Sequence, residues 1–275
     1  MKEREMHKIA LLIVDPQLDF CASGANGTRQ GSLFVPHADI DMEVLADFVD
    51  RMGSRLSEIH VTMDSHQIVH IANPIFFKNA HEEHPAPFTQ ITANDVVNKA
   101  WMTTVICHTE RALKYLWRLE DNKKVHTIWP PHCLIGEWGH GIDLKLAKSL
   151  KNWCEKRLSI INYVAKGSNP WTEHFSGIRA EIPDPNDPNT QTNWKLIRQL
   201  ESADEIIVAG EALSHCLAST VLDIASAFKN QSSIKKLKLL TDCTSSIPGF
   251  ERQVESFTKE MTAKGMGFVT TDKYV

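Results

Sequence analysis

The sequence predicts an α/β protein with three layers, α/β/α, around a central, mostly parallel sheet of about six strands. Continuous apolar runs such as Lys8–Val14 and Glu205–Ala209 are typical of strands that are covered on both faces. Segments with the apolar spacing of helices lie between such runs, and this alternation is typical of parallel sheets. Charged or reactive side chains follow several runs directly, as expected where parallel strands end at a ligand site.

The elements follow from these patterns in chain order. The runs predict strands at Lys8–Val14, Glu58–Met63, Val125–Trp129, Leu158–Val164, Glu205–Ala209, Lys236–Leu240 and Gly267–Thr270. Helical spacing predicts helices at Asp41–Leu56, near Asp95, at Thr109–Glu120, Asp143–Lys156, Asn193–Leu200, from about His215 to Phe228, and at Phe250–Ala263. We therefore expect one domain over residues 1–275. An insertion at about 71–128 is long for a simple connection, and we expect it to form a lid or an oligomer contact.

Composition excludes several classes of function. The formal net charge of −4 offers no basic surface for a nucleic acid, so no such partner is expected. No apolar run has the length that spans a membrane, and the polar start Met1–Lys8 lacks the apolar core of a signal peptide. The six cysteines show no metal-type or disulfide-type spacing. We therefore expect a cytoplasmic protein, in a reducing compartment.

A candidate nucleophile lies where a strand becomes a helix. Glu205–Ala209 ends at Gly210, and Cys216 follows a short turn. Unpaired N–H groups and the dipole at a helix start favour a thiolate and can hold an oxyanion. Asp15 and Lys166 also stand just after predicted strands, so the three side chains could form one nucleophilic site. Alternatively, Cys216 is a small buried hydrophobe and the other two are ordinary turn and surface residues.

A candidate metal site follows the second predicted strand. Asp64 and His66 point the same way in an extended chain, and a turn could return His70 to them. A carboxylate with imidazoles suits Zn²⁺, Fe²⁺ or Mn²⁺. The alternative is a polar loop with incidental histidines, because the chain contains thirteen of them.

Five stretches carry short motifs: Val14–Phe20, like D-x-Q-x-D-F; Asp64–His70, like D-x-H-x-x-x-H; Trp129–Cys133, like W-P-x-H-C; Lys166–Gly167 with Phe175–Ser176; and the turn Gly210–Cys216. In this order they resemble the isochorismatase-like cysteine hydrolases, and among them most of all the nicotinamidases (pyrazinamidase/nicotinamidase type). The resemblance implies the fold of that family. It also implies hydrolysis of nicotinamide, or a close aromatic carboxamide, to nicotinate and ammonia through a thioester on Cys216.

The same resemblance assigns a role to each matching position. Cys216, Asp15 and Lys166 would be the catalytic triad, and the N–H groups of Ala212 and Cys216 the oxyanion hole, with a cis peptide bond before Ala212. Phe20 and Trp129 would flank the substrate ring. One divalent ion per chain, Zn with Fe or Mn as alternatives, would be held by Asp64, His66, His70 and His132, with His70 bound directly or through water. A homo-oligomer is also expected.

Two departures and two other functions stay open at this point. Leu18 and Glu211 differ from the residues that many relatives carry, and a carboxylate at Glu211 would disfavour an oxyanion unless it points away or binds a substrate cation. The chain could instead be a cysteine hydrolase of the same fold that cleaves another C–N bond. It could also be a catalytically idle metal-binding member.

Overall fold

A computed structural model describes residues 7–274. The expected absence of a signal peptide rested on the polar start Met1–Lys8. Most of that start falls in residues 1–6, so this expectation lies outside the described residues. No helix within 7–274 is both long enough and apolar enough to cross a membrane.

The centre of the fold is a six-stranded sheet in the order β10-β9-β8-β1-β2-β7, and every pairing in it is parallel. This confirms the predicted α/β class. The six strands are β1 (Ile9–Val14), β2 (Leu56–Asp64), β7 (Asn162–Lys166), β8 (Glu205–Gly210), β9 (Leu237–Leu240) and β10 (Gly267–Val269). Four short strands lie outside this sheet in two antiparallel pairs, β3 (Phe77–Lys78) with β5 (Met102–Thr103) and β4 (Gln90–Ile91) with β6 (His126–Thr127).

The described chain contains eight α-helices. They are α1 (Leu18–Cys21), α2 (Ala38–Met52), α3 (Ala93–Val97), α4 (Thr109–Asp121), α5 (Leu144–Arg157), α6 (Trp194–Glu201), α7 (Ala218–Ala227) and α8 (Glu251–Ala263). Seven of them correspond to predicted helices, and α1 was not predicted.

Several predicted bounds differ. The helix predicted at Asp41–Leu56 ends at Met52, and Leu56 begins β2 instead; the strand predicted from Leu158 begins only at Asn162. The apolar run Val125–Trp129 yields only β6, which pairs with β4 and not with the central sheet. A short apolar run reports burial, but it does not report which neighbour covers it.

Strand β1 shows how the three layers arise. All six of its side chains are buried, because helices cover both faces of the sheet. Ile9, Leu11 and Ile13 pack into a core with α2 and α5, whereas alternate residues of β1 pack into a second core with α6, α7 and α8. The period of two along a strand therefore sends neighbouring residues into different layers.

The 71–128 segment has a third apolar core of its own. Phe77, Ile91 and Leu116 are almost fully buried in it, and Ile182 joins them from the segment after β7. The insertion is thus packed against the 167–192 segment, which also lines the site described next.

Candidate active site

The carboxyl ends of β1, β7 and β8 bring three side chains together. Lys166 is the last residue of β7, and its Nζ lies 2.9 Å from Asp15 Oδ2 and 3.6 Å from Cys216 Sγ. All three residues are buried, and Asp15 also accepts a hydrogen bond of 2.5 Å from the Thr62 hydroxyl. The structure therefore brings the three predicted triad residues into one cluster.

The turn that carries Cys216 depends on Gly210. The φ angle of Gly210 is +112°, and a Cβ there would lie 2.0 Å from the carbonyl oxygen of Val14, so only glycine fits. The peptide bond between Glu211 and Ala212 is cis. A π-helical turn, Leu213–Leu217, follows and runs into α7, so the helix begins slightly earlier than His215.

Burial dominates the protonation of this cluster. Burial raises the pKa of the Cys216 thiol well above its usual value, and Lys166 opposes this only in part. Burial also raises the pKa of Asp15, against the attraction of Lys166. Burial therefore favours the thiol of Cys216 over the thiolate that a helix start alone would favour, and the raised pKa of Asp15 makes its carboxylate a better proton acceptor.

The end of β2 gathers a second group. Asp64 Oδ2 lies 3.1 Å from Nε2 of His66 and 3.4 Å from Nε2 of His132. Ligand atoms of these three buried residues lie within 4.8 Å of one another, as a metal ion requires.

The two imidazoles of this group are oriented by backbone carbonyls. His66 Nδ1 lies 3.0 Å from the Gly167 oxygen, and His132 Nδ1 lies 2.8 Å from the Pro130 oxygen. Each Nδ1–H can donate there, which leaves both Nε2 lone pairs directed at the group, an arrangement typical of metal-binding histidines. The donor set of one carboxylate and two imidazoles fits Zn²⁺, Fe²⁺ or Mn²⁺.

Gly167 leaves room for this group. Its φ is +83°, and a Cβ there would lie 2.7 Å from both Asp64 Oδ1 and His66 Cε1. Gln17, to which the sequence patterns assign no role, fixes the backbone of Asp64: it accepts from the Asp64 N–H at 2.6 Å and donates to the Asp64 carbonyl at 2.7 Å.

The structure does not bring His70 into the metal-type group. Its Nδ1 accepts a hydrogen bond from the Ala72 N–H at 3.2 Å, and its Nε2 lies 3.2 Å from the Thr172 carbonyl oxygen. With one nitrogen accepting and the other donating, His70 has no free lone pair for direct ligation. Sequence spacing could not reveal these backbone contacts.

A cavity joins the two groups. Phe20 and Trp129, the predicted ring contacts, both line it, together with Ala212 and Cys216. The remaining lining residues are Leu33, Asp64, His66, His132, Glu173, His174, Phe175, His215 and Ile247. The mostly apolar lining therefore includes both the candidate nucleophile Cys216 and the metal-type group Asp64, His66 and His132.

Two cavity residues carry no signal in the sequence motifs. Glu173 is buried, its Oε1 lies 3.8 Å from His70 Nε2, and burial raises its pKa to about 7. His174 accepts from the Gly167 N–H through Nδ1 at 3.3 Å, and burial lowers its pKa to about 3, so it stays neutral with its proton on Nε2. In the sequence, only their position between Lys166 and Phe175 indicates that Glu173 and His174 could lie near the site.

Comparison with known proteins confirms the resemblance drawn from the five stretches. No family model matches the chain. The chain is 26% identical to a nicotinamidase of Escherichia coli over 214 residues, which are 78% of this chain and 75% of that protein. It is 22% identical to a nicotinamidase of Saccharomyces cerevisiae over 220 residues, 78% of this chain and 80% of that protein.

Solved structures show the same fold. A nicotinamidase/pyrazinamidase of Acinetobacter baumanii matches with a TM-score of 0.62 at 18% identity, over 99% of this chain and 100% of that one. The yeast nicotinamidase Pnc1p bound to nicotinaldehyde matches with 0.61 at 19% identity, over 95% and 99%. A pyrazinamidase of Pyrococcus horikoshii in complex with zinc matches with 0.55 at 18% identity, over 96% and 99%.

Proposed function

We propose that this chain, which has the fold and the motifs of the nicotinamidases, is a metal-containing cysteine amidohydrolase that converts nicotinamide, or a close aromatic carboxamide, to the acid and ammonia. One observation carries the proposal: Cys216, which forms a buried cluster with Lys166 and Asp15, lines the same cavity as Asp64, His66 and His132. The two curated relatives are both nicotinamidases.

The first half of the reaction forms a thioester. Asp15 accepts the thiol proton of Cys216, and the sulfur attacks the carboxamide carbon. The oxygen that becomes negative receives hydrogen bonds from the N–H groups of Ala212 and Cys216. Asp15 then returns the proton to the leaving nitrogen, so that ammonia departs and the acyl group stays on Cys216.

The second half restores the enzyme. Asp15 removes a proton from a water molecule, which attacks the thioester carbon, and the Cys216 sulfur leaves with the proton. Lys166 stays charged throughout, because burial is outweighed by Asp15 and Asp64, which hold its pKa well above the usual range. Its charge balances the two buried carboxylates as the proton moves.

We propose that Asp64, His66 and His132 hold one divalent ion, Zn with Fe or Mn as alternatives. When bound, such an ion supplies a Lewis acid that can orient a pyridine-type ring nitrogen and withdraw electron density from the ring. A water-bridged role for His70 remains part of this proposal, since its ring centroid lies 4.6 Å from that of His66. Phe20 and Trp129 would hold the substrate ring from its sides.

The insertion is proposed to act as a lid at this cavity. Phe88, a half-exposed residue of the insertion, packs edge-on against Trp129 with 5.7 Å between ring centroids. A role of the same segment in a homo-oligomer stays a prediction, which the mass of the protein in solution would test.

Acid quenching tests the proposed reaction directly. Wild-type protein mixed with nicotinamide and quenched within the first turnovers should carry one acyl group on the peptide that contains Cys216, as seen by mass spectrometry. An active protein whose Cys216 never carries that group would refute the thioester route.

A further inference from the structure

Glu211 is a fully buried carboxyl group next to the proposed oxyanion turn, and it points away from the cavity. Its neighbour Ala212 lines the cavity, whereas Glu211 does not. Glu211 Oε2 accepts a hydrogen bond of 3.2 Å from the N–H of Ser245, in the loop after β9. This orientation removes the concern that a carboxylate there would repel an oxyanion, and it excludes contact with a substrate cation.

The second carboxyl oxygen of Glu211, Oε1, is buried and lies without a hydrogen-bond donor among the described residues. Asp41, from the first turn of α2, is the neighbouring carboxyl group that acts on Glu211, and Ser245 bonds both residues, through its N–H to Glu211 and through its hydroxyl to Asp41. Two carboxyl groups can form a hydrogen bond only if one of them carries a proton, and a shared proton would also satisfy the unpartnered Glu211 Oε1.

Charge and burial place that proton on Glu211. Burial and then the charge of Asp41 raise the pKa of Glu211 well above its usual value. Burial also raises the pKa of Asp41, but less than that of Glu211, because the Asp41 Oδ2 accepts a hydrogen bond of 2.5 Å from the Ser245 hydroxyl, which favours its charged form. Other titratable groups that act on the pair are His37 before α2, Cys21 in α1, and Asp242 and Cys243 after β9.

The loop that receives these bonds also holds the turn itself. The N–H of Leu213 donates to the Ser245 carbonyl at 2.8 Å, and the N–H of Gly210 donates to the Cys243 carbonyl at 2.9 Å. Glu211 lies between these two contacts, and its side chain links this turn through Ser245 to Asp41 of α2. The position of the Ala212 N–H therefore depends on three segments that the Glu211 side chain connects: the turn itself, the loop after β9, and α2.

We propose that Glu211 is a positioning residue, whose carboxyl group, held by Asp41 and Ser245, fixes the turn that presents the Ala212 N–H to the developing oxyanion. The inference rests on the proposed amide hydrolysis. A neutral side chain of the same shape should replace Glu211, because the pair needs a donor to Asp41 and an acceptor for Ser245. An apolar side chain should not, because it leaves Asp41 and the Ser245 N–H without this partner.

Steady-state kinetics on nicotinamide test the proposal with three variants, each normalised to titrated Cys216. Glu211→Gln should keep kcat within about threefold of wild type, since an amide supplies both the donor and the acceptor. Glu211→Leu should lower kcat at least about tenfold and leave KM within about twofold, because a displaced oxyanion donor acts on the transition state and not on binding. Glu43→Gln, at an exposed carboxyl of the same helix as Asp41, should match wild type.

Three kinetic results would contradict the role proposed for Glu211. Normal kcat in Glu211→Leu, an equal loss in the Leu and Gln variants, or a change confined to KM would each overturn the inference. If Glu211→Leu does not fold, Ser245→Ala replaces it: kcat should fall about threefold with KM unchanged, and an unchanged kcat would overturn the inference. A wild-type protein that releases no ammonia from nicotinamide would overturn the proposed function, and the inference with it.

Discussion

Lys166 Nζ lies 3.1 Å from Asp64 Oδ1, so the cation of the proposed triad also touches the proposed metal group. The same nitrogen lies 2.9 Å from Asp15 and donates to the carbonyl of His174 at 3.0 Å. Both carboxylates are almost fully buried, and Lys166 is itself 2% exposed. One buried charge therefore supports two groups that a sequence motif would treat as separate.

Removal of the Lys166 charge should lower both the stability of the fold and the enzymatic activity. Lys166→Met leaves Asp15 and Asp64 facing each other without their cation, and the free energy of unfolding should fall by about 3–5 kcal/mol. The rate kcat/KM should fall at least about 100-fold. Urea denaturation and steady-state kinetics measure the two effects.

The matched control is Lys151→Met. Lys151 forms an exposed pair with Glu155 at 3.7 Å, and loss of such a pair costs under about 1 kcal/mol. Equal effects of the two substitutions would mean that the buried contacts of Lys166 contribute no more to stability or activity than an exposed ion pair does.

Metal binding should depend on the absence of a side chain at Gly167. Gly167→Ala places a methyl group against Asp64 and His66, so metal content should fall well below that of wild type. Gly136→Ala is the control, because Gly136 has a similar φ of +87°, but a Cβ there would meet no described heavy atom within 4 Å. Elemental analysis after dialysis compares the two, and full metal retention in Gly167→Ala would contradict the proposed site.

The two histidines should differ in the same assay. His132→Ala removes a proposed ligand and should weaken metal binding by more than about tenfold. His70→Ala should retain the metal within about threefold of wild type, because the backbone at Ala72 and Thr172 engages both ring nitrogens. Loss of metal in His70→Ala comparable to that in His132→Ala would show that His70 is a ligand.

Stability should report the proton on Glu211. The folded-state pKa of Glu211 lies well above its unfolded value, so the folded protein binds this proton more tightly. Its contribution to stability is therefore full below the unfolded pKa of about 4.3 and declines as pH rises above it. Glu211→Gln has no proton to lose, so its stability relative to wild type should increase with pH between about 5 and 8. If the stabilities of wild type and Glu211→Gln changed with pH in parallel, Glu211 would not be the group that loses a proton in this range.

The sequence predicted most of what positions the site. The continuous apolar runs of β1 and β8 indicated the parallel sheet, and the charged residues at their ends did meet, because parallel strands end at one edge. Phe20 and Trp129 also reached the predicted cavity. These features depend on local pattern and on one general rule of topology.

The remaining features depend on contacts across the chain. No spacing rule could show that backbone groups engage His70, that Glu211 turns toward Asp41, or that β6 pairs with β4 outside the central sheet. The opposing effect of burial on Cys216 was hidden for a similar reason, since the helix start that favours a thiolate is local whereas the burial that raises the thiol pKa is set by the whole core.

Ammonia release from nicotinamide should be measured for wild type and Cys216→Ala, with metal content determined on the same samples. Wild type should release ammonia and contain about one metal per chain, whereas Cys216→Ala should release none and retain its metal. Release that persists in Cys216→Ala would contradict the proposed nucleophile. No release from a metal-loaded wild type whose Cys216 still reacts with thiol reagents would contradict nicotinamide as the substrate.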